Sequence, residues 1–280
     1  MNINNHKDRI LLAEETLKIC EAGNYTNRKN EVVSMREQLD NCLNNTVHYT
    51  PEMLDQLSVT NNRSEKTKIE VTGETTLQAA ERLFALDNSE PIFVLNFASA
   101  KNAGGGFLNG SLAQEESIAR SSGLHPSLLK APNYYATHRN SGDLLYTDNM
   151  IYSPGVPVFR SDEGNLLDNP YLISVVTSPA TNKGALIQNN KPGIDRIEEL
   201  MTIRAEKVLK IAAKYKYKRL ILGAWGCGVF RNDPKLIATI FKKHLTNEGK
   251  FATDFAQIIF AVYDRTKELS VITPFKETFA

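Results

Sequence analysis

The sequence predicts an α/β fold with a mixed sheet, and three observations support this fold class. From about residue 69 onward, extended apolar segments alternate with segments of helical period. The segment at 92–97, Ile-Phe-Val-Leu-Asn-Phe, is almost continuously apolar, which is typical of a strand covered on both faces of a sheet. A length of 280 residues with 41% hydrophobic content is enough for a single core with embellishments.

The leading part of the chain, residues 1–65, has a different pattern. Helical periodicity covers residues 6–22 and 31–41, and Pro51 after Thr50 is typical of the first turn of a short helix. We therefore expect an N-terminal helical extension at 1–65, which belongs to the same folding unit as the main domain at 66–280.

The main domain is predicted to alternate strands and helices. The predicted strands are 68–72, 92–97, 171–177, 219–223 and 257–263, and the predicted helices are 75–86, one starting at Ser111, 195–215 and 234–245. The prolines within 151–159 favour a sheet edge or a bulge there.

A run of glycines follows the predicted strand at 92–97. Gly104, Gly105 and Gly106 carry no side chains, so their backbone N–H groups can approach a polar, anionic ligand closely. Ser111 and Gln114 then have the spacing of a capping box, which predicts a helix start.

This helix would carry Glu115 and Glu116 in its second turn. Adjacent helical residues project about 100° apart, so the two carboxyl groups would have different roles. The alternative is that both merely complement the helix dipole and that Glu116 pairs with Arg120. The glycine run just upstream favours a ligand site.

A second glycine loop occupies residues 223–230, between a predicted strand and a predicted helix. In open α/β sheets, ligands bind where strands end, and a following helix start favours phosphate. Alone this signal is weak, because it matches neither a P-loop nor a dinucleotide motif. With the first loop it predicts a clamp for a diphosphate.

Two side chains of the second loop have alternative interpretations. Cys227 lacks a nearby base, although His125 or His138 lies elsewhere in the sequence, so a small residue in a tight loop is favoured over a nucleophile. Phe230 is equally compatible with stacking on a ligand and with packing in the core, whereas Trp225 favours the core.

Composition excludes several function classes. The net charge of +1 gives no footprint for general nucleic-acid or membrane binding. Three scattered cysteines and five histidines lack metal-ligand spacing, so no metal site is predicted and a reducing, cytoplasmic setting is favoured. The start of the chain does not have the pattern of a signal peptide, and no run approaches the ~18 apolar residues of a membrane span.

The glycine triplet and the Gln114-Glu115-Glu116 run together resemble the GGG…QEE signature of microbial-type poly(ADP-ribose) glycohydrolases, which are catalytic relatives of macrodomains. The resemblance covers most of the chain, and further similar stretches lie at 94–102, 146–159, 177–180 and 223–230. This combination is far more specific than either glycine loop alone.

The resemblance implies a macrodomain-like three-layer α/β/α sandwich with an N-terminal extension, which binds ADP-ribose across the crest of the sheet. It implies that Glu116 is the catalytic acid and that Glu115 holds the ribose hydroxyls. The implied substrate-binding residues are Asn102, Gly104, Gly105 and Gly106 at the distal ribose, Gly226, Cys227, Gly228, Val229 and Phe230 at the diphosphate, Glu74 at the adenine end, and also Asn96, Ala98 and Gln114.

The implied activity is hydrolysis of ribose–ribose O-glycosidic bonds in poly(ADP-ribose), with release of ADP-ribose from chain ends by a monomer without a cofactor. The alternatives are a hydrolase for an ADP-ribosyl linkage to protein or nucleobase, and a macrodomain that binds ADP-ribose without turnover. The intact pair Glu115 and Glu116 argues against the last alternative, because a binding module needs no acid.

Overall fold

The computed structural model describes residues 3–59 and 66–280. Their helices are α1 His6–Ala22, α2 Arg36–Asn44, α3 Pro51–Asp55, α4 Thr76–Leu86, α5 Gln114–Ser121, α6 Leu124–Leu128, α7 Pro132–Ser141, α8 Lys183–Gln188, α9 Ile197–Lys214, α10 Pro234–Leu245 and α11 Ile272–Phe279. Their strands are β1 Asn24–Thr26, β2 Val32–Ser34, β3 Val47–Tyr49, β4 Lys68–Thr72, β5 Ile92–Phe97, β6 Met150–Arg160, β7 Leu166–Ser178, β8 Arg219–Leu222 and β9 Gln257–Ala261.

In the described part of the chain, seven strands form a mixed sheet in the order β3-β6-β7-β5-β8-β9-β4. Strands β7, β5, β8, β9 and β4 run parallel, while β6 is antiparallel to both β7 and β3. The central strand β5 pairs with β7 through Leu95 and Val176, and with β8 through Val94 and Ile221. The carboxyl end of β5 is therefore in the middle of the sheet crest.

Helices cover both faces of this sheet. On one face, α9, α10 and α11 contribute side chains such as Met201 and Phe241 to the core that contains Phe93 and Leu95 of β5. On the other face, helices α4 to α7 pack against the alternate residues of β5, among them Val94. The predicted α/β/α sandwich with a mixed sheet and a helical start is confirmed.

The leading segment is less helical than predicted. The start of the helix predicted at 31–41 is wrong, because Val32–Ser34 pairs with Asn24–Thr26 in a two-stranded sheet and the helix, α2, covers Arg36–Asn44. Consecutive β-branched residues at 32 and 33 favour that extended pairing. Strand β3 of the same segment joins the main sheet beside β6. The predicted boundary after residue 65 lies outside the described residues.

The proline-rich stretch at 151–159 forms most of β6, which pairs with β7 from residue 151 to 160 but with β3 only at residues 150–152. Its register against β7 shifts between Ser153 and Val156, as expected for a bulge. Both predicted alternatives therefore apply, because Pro154 lies at the bulge and neither Pro154 nor Pro157 pairs with β3. No helix within the described ranges is long and apolar enough to cross a membrane.

Candidate active site

A cavity of about 820 Å³ opens where β5, β8 and β9 end. This volume falls within the range of about 300 to 1,000 Å³ that is typical of small-molecule sites. Its walls include residues 97–99 after β5, residues 224–230 after β8 and residues 261–263 at the end of β9. The site is therefore at the position where open α/β sheets bind ligands.

Helix α5 brings the two predicted acids to this cavity, but it begins later than predicted. Ala113 occupies the N-cap position without a side-chain cap, and Gln114 is the first helical residue. The capping box predicted at Ser111 is wrong, since the Ser111 N–H instead donates to the Gly106 carbonyl at 3.1 Å. Glu115 and Glu116 consequently lie in the first turn, at the positive end of the helix dipole.

The side chain of Gln114 joins α5 to β5. Its carbonyl oxygen accepts a hydrogen bond from the Phe97 N–H at 2.8 Å, and its amide donates to the Leu95 carbonyl at 2.8 Å and to Thr76 Oγ1 at 3.1 Å. Gln114 also lines the cavity. These bonds fix the first turn of α5 relative to the sheet crest.

Glu115 is buried, with only 3% of its surface exposed. Its Oε2 accepts a hydrogen bond from the Ser99 N–H at 2.6 Å, and its Oε1 accepts one from Asn96 Nδ2 at 3.3 Å. Burial raises the pKa of Glu115 to about 8; the charge of Glu116 adds to the rise and the Ser99 N–H opposes it. Below that pH the carboxyl group is protonated and can donate a hydrogen bond.

Glu116 is half-buried and lines the cavity. Its Oε1 accepts a hydrogen bond from the Gly106 N–H at 2.9 Å, which orients the carboxylate. The side chain thus faces the ligand space while one oxygen is held by backbone.

The glycine run makes room for these two carboxyl groups. A Cβ atom on Gly105 would lie 2.3 Å from Glu116 Oε1 and 3.0 Å from Glu115 Oε2. Gly105 also has a φ of +61°, which favours glycine. Within the described residues, the cavity lining includes Asn102 but none of residues 104–106. The triplet lies behind the acids.

The structure distributes the other predicted residues between the cavity and its surroundings. Ala98, Asn102 and all of residues 226–230 line the cavity. Asn96 is fully buried behind Glu115, so its contact is with that carboxyl group. Glu74 is outside the lining, and its two oxygens pair with the Arg82 guanidinium at 2.8 Å each.

The second glycine loop combines a crowded glycine with an open one. Gly226 has a φ of +74°, and a Cβ atom there would lie 2.4 Å from the Ala180 Cβ. Asn232 braces the loop, since its backbone N–H donates to the Gly226 carbonyl at 3.0 Å. Gly228 has no neighbour within 4 Å of a Cβ position, which leaves space beside its backbone.

The alternatives for Cys227 and the aromatic residues can be compared with their surroundings. Burial raises the pKa of the Cys227 thiol, which is the opposite of what a nucleophile requires. Trp225 belongs to the core, where its indole N–H donates to the Ser178 carbonyl at 3.1 Å. Phe230 faces the cavity, and its ring centroid lies 6.0 Å from that of Tyr146.

Sequence reasoning missed Tyr146 as a wall residue. Tyr146 adopts a φ of 56°, a conformation uncommon outside glycine, and no local sequence signal predicts it. The buried Arg204 holds this segment, because its Nη2 donates to the carbonyls of Leu145 and Tyr146 at 3.2 Å each. Ile3, Asn4 and Leu112 were also missed, and they line the same cavity.

No group of acidic, histidine or cysteine side chains in the described ranges is arranged to hold a metal ion.

Comparisons with known proteins agree with this geometry. The family model for the catalytic domain of microbial-type poly(ADP-ribose) glycohydrolase (PARG) matches residues 13–161. No curated protein sequence matches with significance.

Solved structures provide closer matches. The poly(ADP-ribose) glycohydrolase of Thermomonospora curvata is 43% identical, with a TM-score of 0.93, over 98% of this chain and 100% of that one. The same enzyme bound to the inhibitor ADP-HPD matches at 44% identity and a TM-score of 0.90, over 97% of this chain and 99% of that one. The Deinococcus radiodurans enzyme in complex with ADP-ribose is 41% identical with a TM-score of 0.80, over 86% of this chain and 96% of that one. The chain therefore belongs to the microbial-type poly(ADP-ribose) glycohydrolase family.

Proposed function

We propose that this protein hydrolyses the ribose–ribose O-glycosidic bonds of poly(ADP-ribose) and releases ADP-ribose. The observation that carries the proposal is the pair Glu115 and Glu116, which converge on Gly105 beside a cavity at the sheet crest. The family relationship supports the ligand, because relatives with this fold are described in complex with ADP-ribose or with the inhibitor ADP-HPD.

In the mechanism that we propose, Glu116 acts as the general acid and then as the general base. The bond from the anomeric carbon to the leaving 2′-oxygen breaks through an oxocarbenium-like state, and that oxygen takes a proton from Glu116. Glu116 then accepts a proton from the water that attacks the anomeric carbon. The Gly106 N–H keeps one carboxylate oxygen in place during both steps.

Glu115 would hold the ribose hydroxyls beside the reacting carbon. Its buried carboxyl group is protonated at pH values below its pKa of about 8. It can therefore donate a hydrogen bond to a hydroxyl while Ser99 and Asn96 fix its position. Placement of the substrate by fixed groups lowers the entropic part of the barrier.

The remaining predicted residues would bind the ligand or support those that do. The backbone of residues 226–230 would hold the diphosphate, Ala98 and Asn102 would contact the distal ribose, and Phe230 with Tyr146 would form an aromatic wall. Asn96 and the glycine triplet would act through the acids, and Glu74 would act through Arg82. Release from chain ends, a monomeric state, a cytoplasmic location and the division of the chain at residue 65 are part of the same proposal.

The test compares wild-type protein with Glu116→Gln on automodified poly(ADP-ribose) polymerase. We expect free ADP-ribose from wild type and release slower by about 10² to 10⁴-fold from the variant, because general acid–base catalysis supplies that factor. Calorimetry should show that both bind ADP-ribose. Glu198→Gln, which alters an exposed first-turn glutamate of α9, is the matched control.

Three results would contradict parts of the proposal. Unchanged turnover in Glu116→Gln would exclude Glu116 as the acid. Binding of ADP-ribose by wild type without release from any substrate would identify a binding module. Release from mono-ADP-ribosylated targets alone would identify a hydrolase for a different linkage.

A further inference from the structure

The start of the chain forms part of the cavity wall, which the assigned catalytic residues do not explain. Ile3 and Asn4 line the cavity together with Leu112, which precedes α5. Leu112 is 41% exposed although it is apolar, and Ile3 is half-buried. Ile3 and Leu112 therefore present apolar surface to the ligand space.

Specific contacts hold this segment in place. Arg9 Nη1 donates to the Ile3 carbonyl at 2.9 Å, and Arg9 Nε donates to the Gly110 carbonyl at 2.6 Å. Gly110 has a φ of +72°, and a Cβ atom there would lie 2.9 Å from the His6 carbonyl oxygen. The Asn5 side chain caps α1 by accepting from the Lys7 N–H at 2.9 Å. Ile3 is thus held to the loop at Gly110 through the Arg9 side chain.

The same loop holds Glu116. Ser111, next to Gly110, donates its N–H to the Gly106 carbonyl at 3.1 Å, and the Gly106 N–H donates to Glu116 Oε1 at 2.9 Å. The Arg9 side chain therefore links Ile3 to the Gly110 loop, and hydrogen bonds of the Gly106 backbone link that loop to Glu116. A general acid must reach the leaving oxygen, so the leaving group extends from the Glu116 side of the reacting carbon.

We propose that Ile3, Asn4 and Leu112 form a subsite for the leaving group, which takes the adenosine of the departing polymer. The inference rests on the proposed function. An adenine base offers flat faces that suit the apolar side chains of Ile3 and Leu112, and Asn4 lies on the same wall. A single-atom leaving group makes none of these contacts, so the subsite discriminates between substrates by the identity of their leaving group.

The experiment uses two substrates with the same ADP-ribosyl part, namely poly(ADP-ribose) and ADP-ribosyl fluoride. The wild-type protein and its Leu112→Ala variant are compared by kcat/KM on each. We expect the ratio of polymer to fluoride kcat/KM to fall about ten-fold in Leu112→Ala, since loss of a good contact to a base has about this effect. Arg9→Gln, which releases the segment from Gly110, should lower the same ratio.

Leu108→Ala is the matched control, because Leu108 lies in the same loop region, is 42% exposed and is absent from the cavity lining. Its ratio should equal that of wild type. An unchanged ratio in Leu112→Ala, or equal losses on both substrates, would overturn the inference while leaving the proposed function intact. A wild-type protein that binds ADP-ribose but cleaves neither substrate would instead contradict the proposed function itself.

Discussion

At the scale of single residues, the environment of Glu115 separates it from its neighbour Glu116. The two acids are adjacent in sequence and lie in the same helical turn, yet Glu115 is buried against Ser99 and Asn96, whereas Glu116 faces the cavity. Helix geometry predicts that the two side chains diverge. It does not predict which one is buried, because that depends on the end of β5, which packs beside α5.

Glu115→Gln should change the pH dependence of stability. The pKa of Glu115 rises from 4.5 to about 8 on folding, so the folded state favours the protonated form. This contribution is fully present below pH 4.5 and is lost as the pH rises through about 8. Relative to wild type, the free energy of unfolding of the variant should therefore rise by roughly 5 kcal/mol between pH 4.5 and pH 9. Urea denaturation at pH 4.5, 7 and 9 measures this.

Glu198→Gln should show no such trend, since its side chain is exposed. A free energy difference between Glu115→Gln and wild type that stays constant across this pH range would contradict the assignment of a proton to Glu115. The variant should also lose activity, because an amide cannot accept from both Asn96 and Ser99 and so cannot hold the ribose hydroxyls in the same position.

At the scale of elements, the two glycine loops use their missing side chains in different ways. Gly105 makes space for protein carboxyl groups, and Gly226 makes space for Ala180. Gly228 instead faces open space on the cavity wall. Sequence reasoning assigned all of these glycines to the ligand.

Alanine substitutions at Gly226 and Gly228 should therefore differ. Gly226→Ala places a Cβ atom 2.4 Å from Ala180 at a φ of +74°, so we expect it to destabilise the fold by about 2 kcal/mol. Gly228→Ala should leave the melting temperature unchanged and weaken ADP-ribose binding, because its Cβ atom enters the space beside the backbone. Thermal unfolding and calorimetry on both variants test this, and equal melting temperatures would contradict it.

Sequence alone predicts those elements whose local pattern agrees with their tertiary environment. The proline start of α10 and the apolar run of β5 were predicted with correct bounds. The start of α5 was wrong because the Ser111 N–H is taken by the Gly106 carbonyl, a contact made across the loop. Tyr146 and Ile3 reach the cavity through tertiary contacts of Arg204 and Arg9, which leave no periodic signal.

At the scale of the whole molecule, a buried charge cluster connects the helical layer to the cavity wall. Arg204 of α9 is fully buried, and its Nε donates to Asp148 Oδ1 at 2.9 Å. Lys207 donates to Asp148 Oδ2 at 2.9 Å. Because Arg204 also donates to the Tyr146 carbonyl, this cluster connects helix α9 to one wall of the cavity.

Asp148→Asn should destabilise the protein by about 3 kcal/mol at pH 7, since it leaves the buried Arg204 without its carboxylate, while Lys207 keeps Asp55 as a partner. Although burial opposes ionisation, Arg204 and Lys207 lower the pKa of Asp148, so its contribution is present above the usual carboxyl pKa of 3.8 and is lost as the pH falls below it. The difference from wild type should therefore shrink below pH 4. Denaturant titrations at pH 7 and 3.5 measure this.

ADP-ribose affinity should fall together with stability in Asp148→Asn, because Tyr146 loses its support. Asp195→Asn, at an exposed position before α9, serves as the control and should match wild type. If Asp148→Asn is as stable as wild type at pH 7, the cluster does not hold the wall.

The strand order also has a consequence for how the molecule is made on the ribosome. Strand β4, at 68–72, pairs in parallel with β9, at 257–261. Strand β4 therefore leaves the ribosome long before its partner exists, and the sheet cannot be completed until nearly the whole chain has been synthesised. Such distant pairing slows folding and leaves an unpaired strand open to aggregation. A product truncated before residue 257 would keep both acids and the glycine loops, but it would lack the strand that joins β4 to β8.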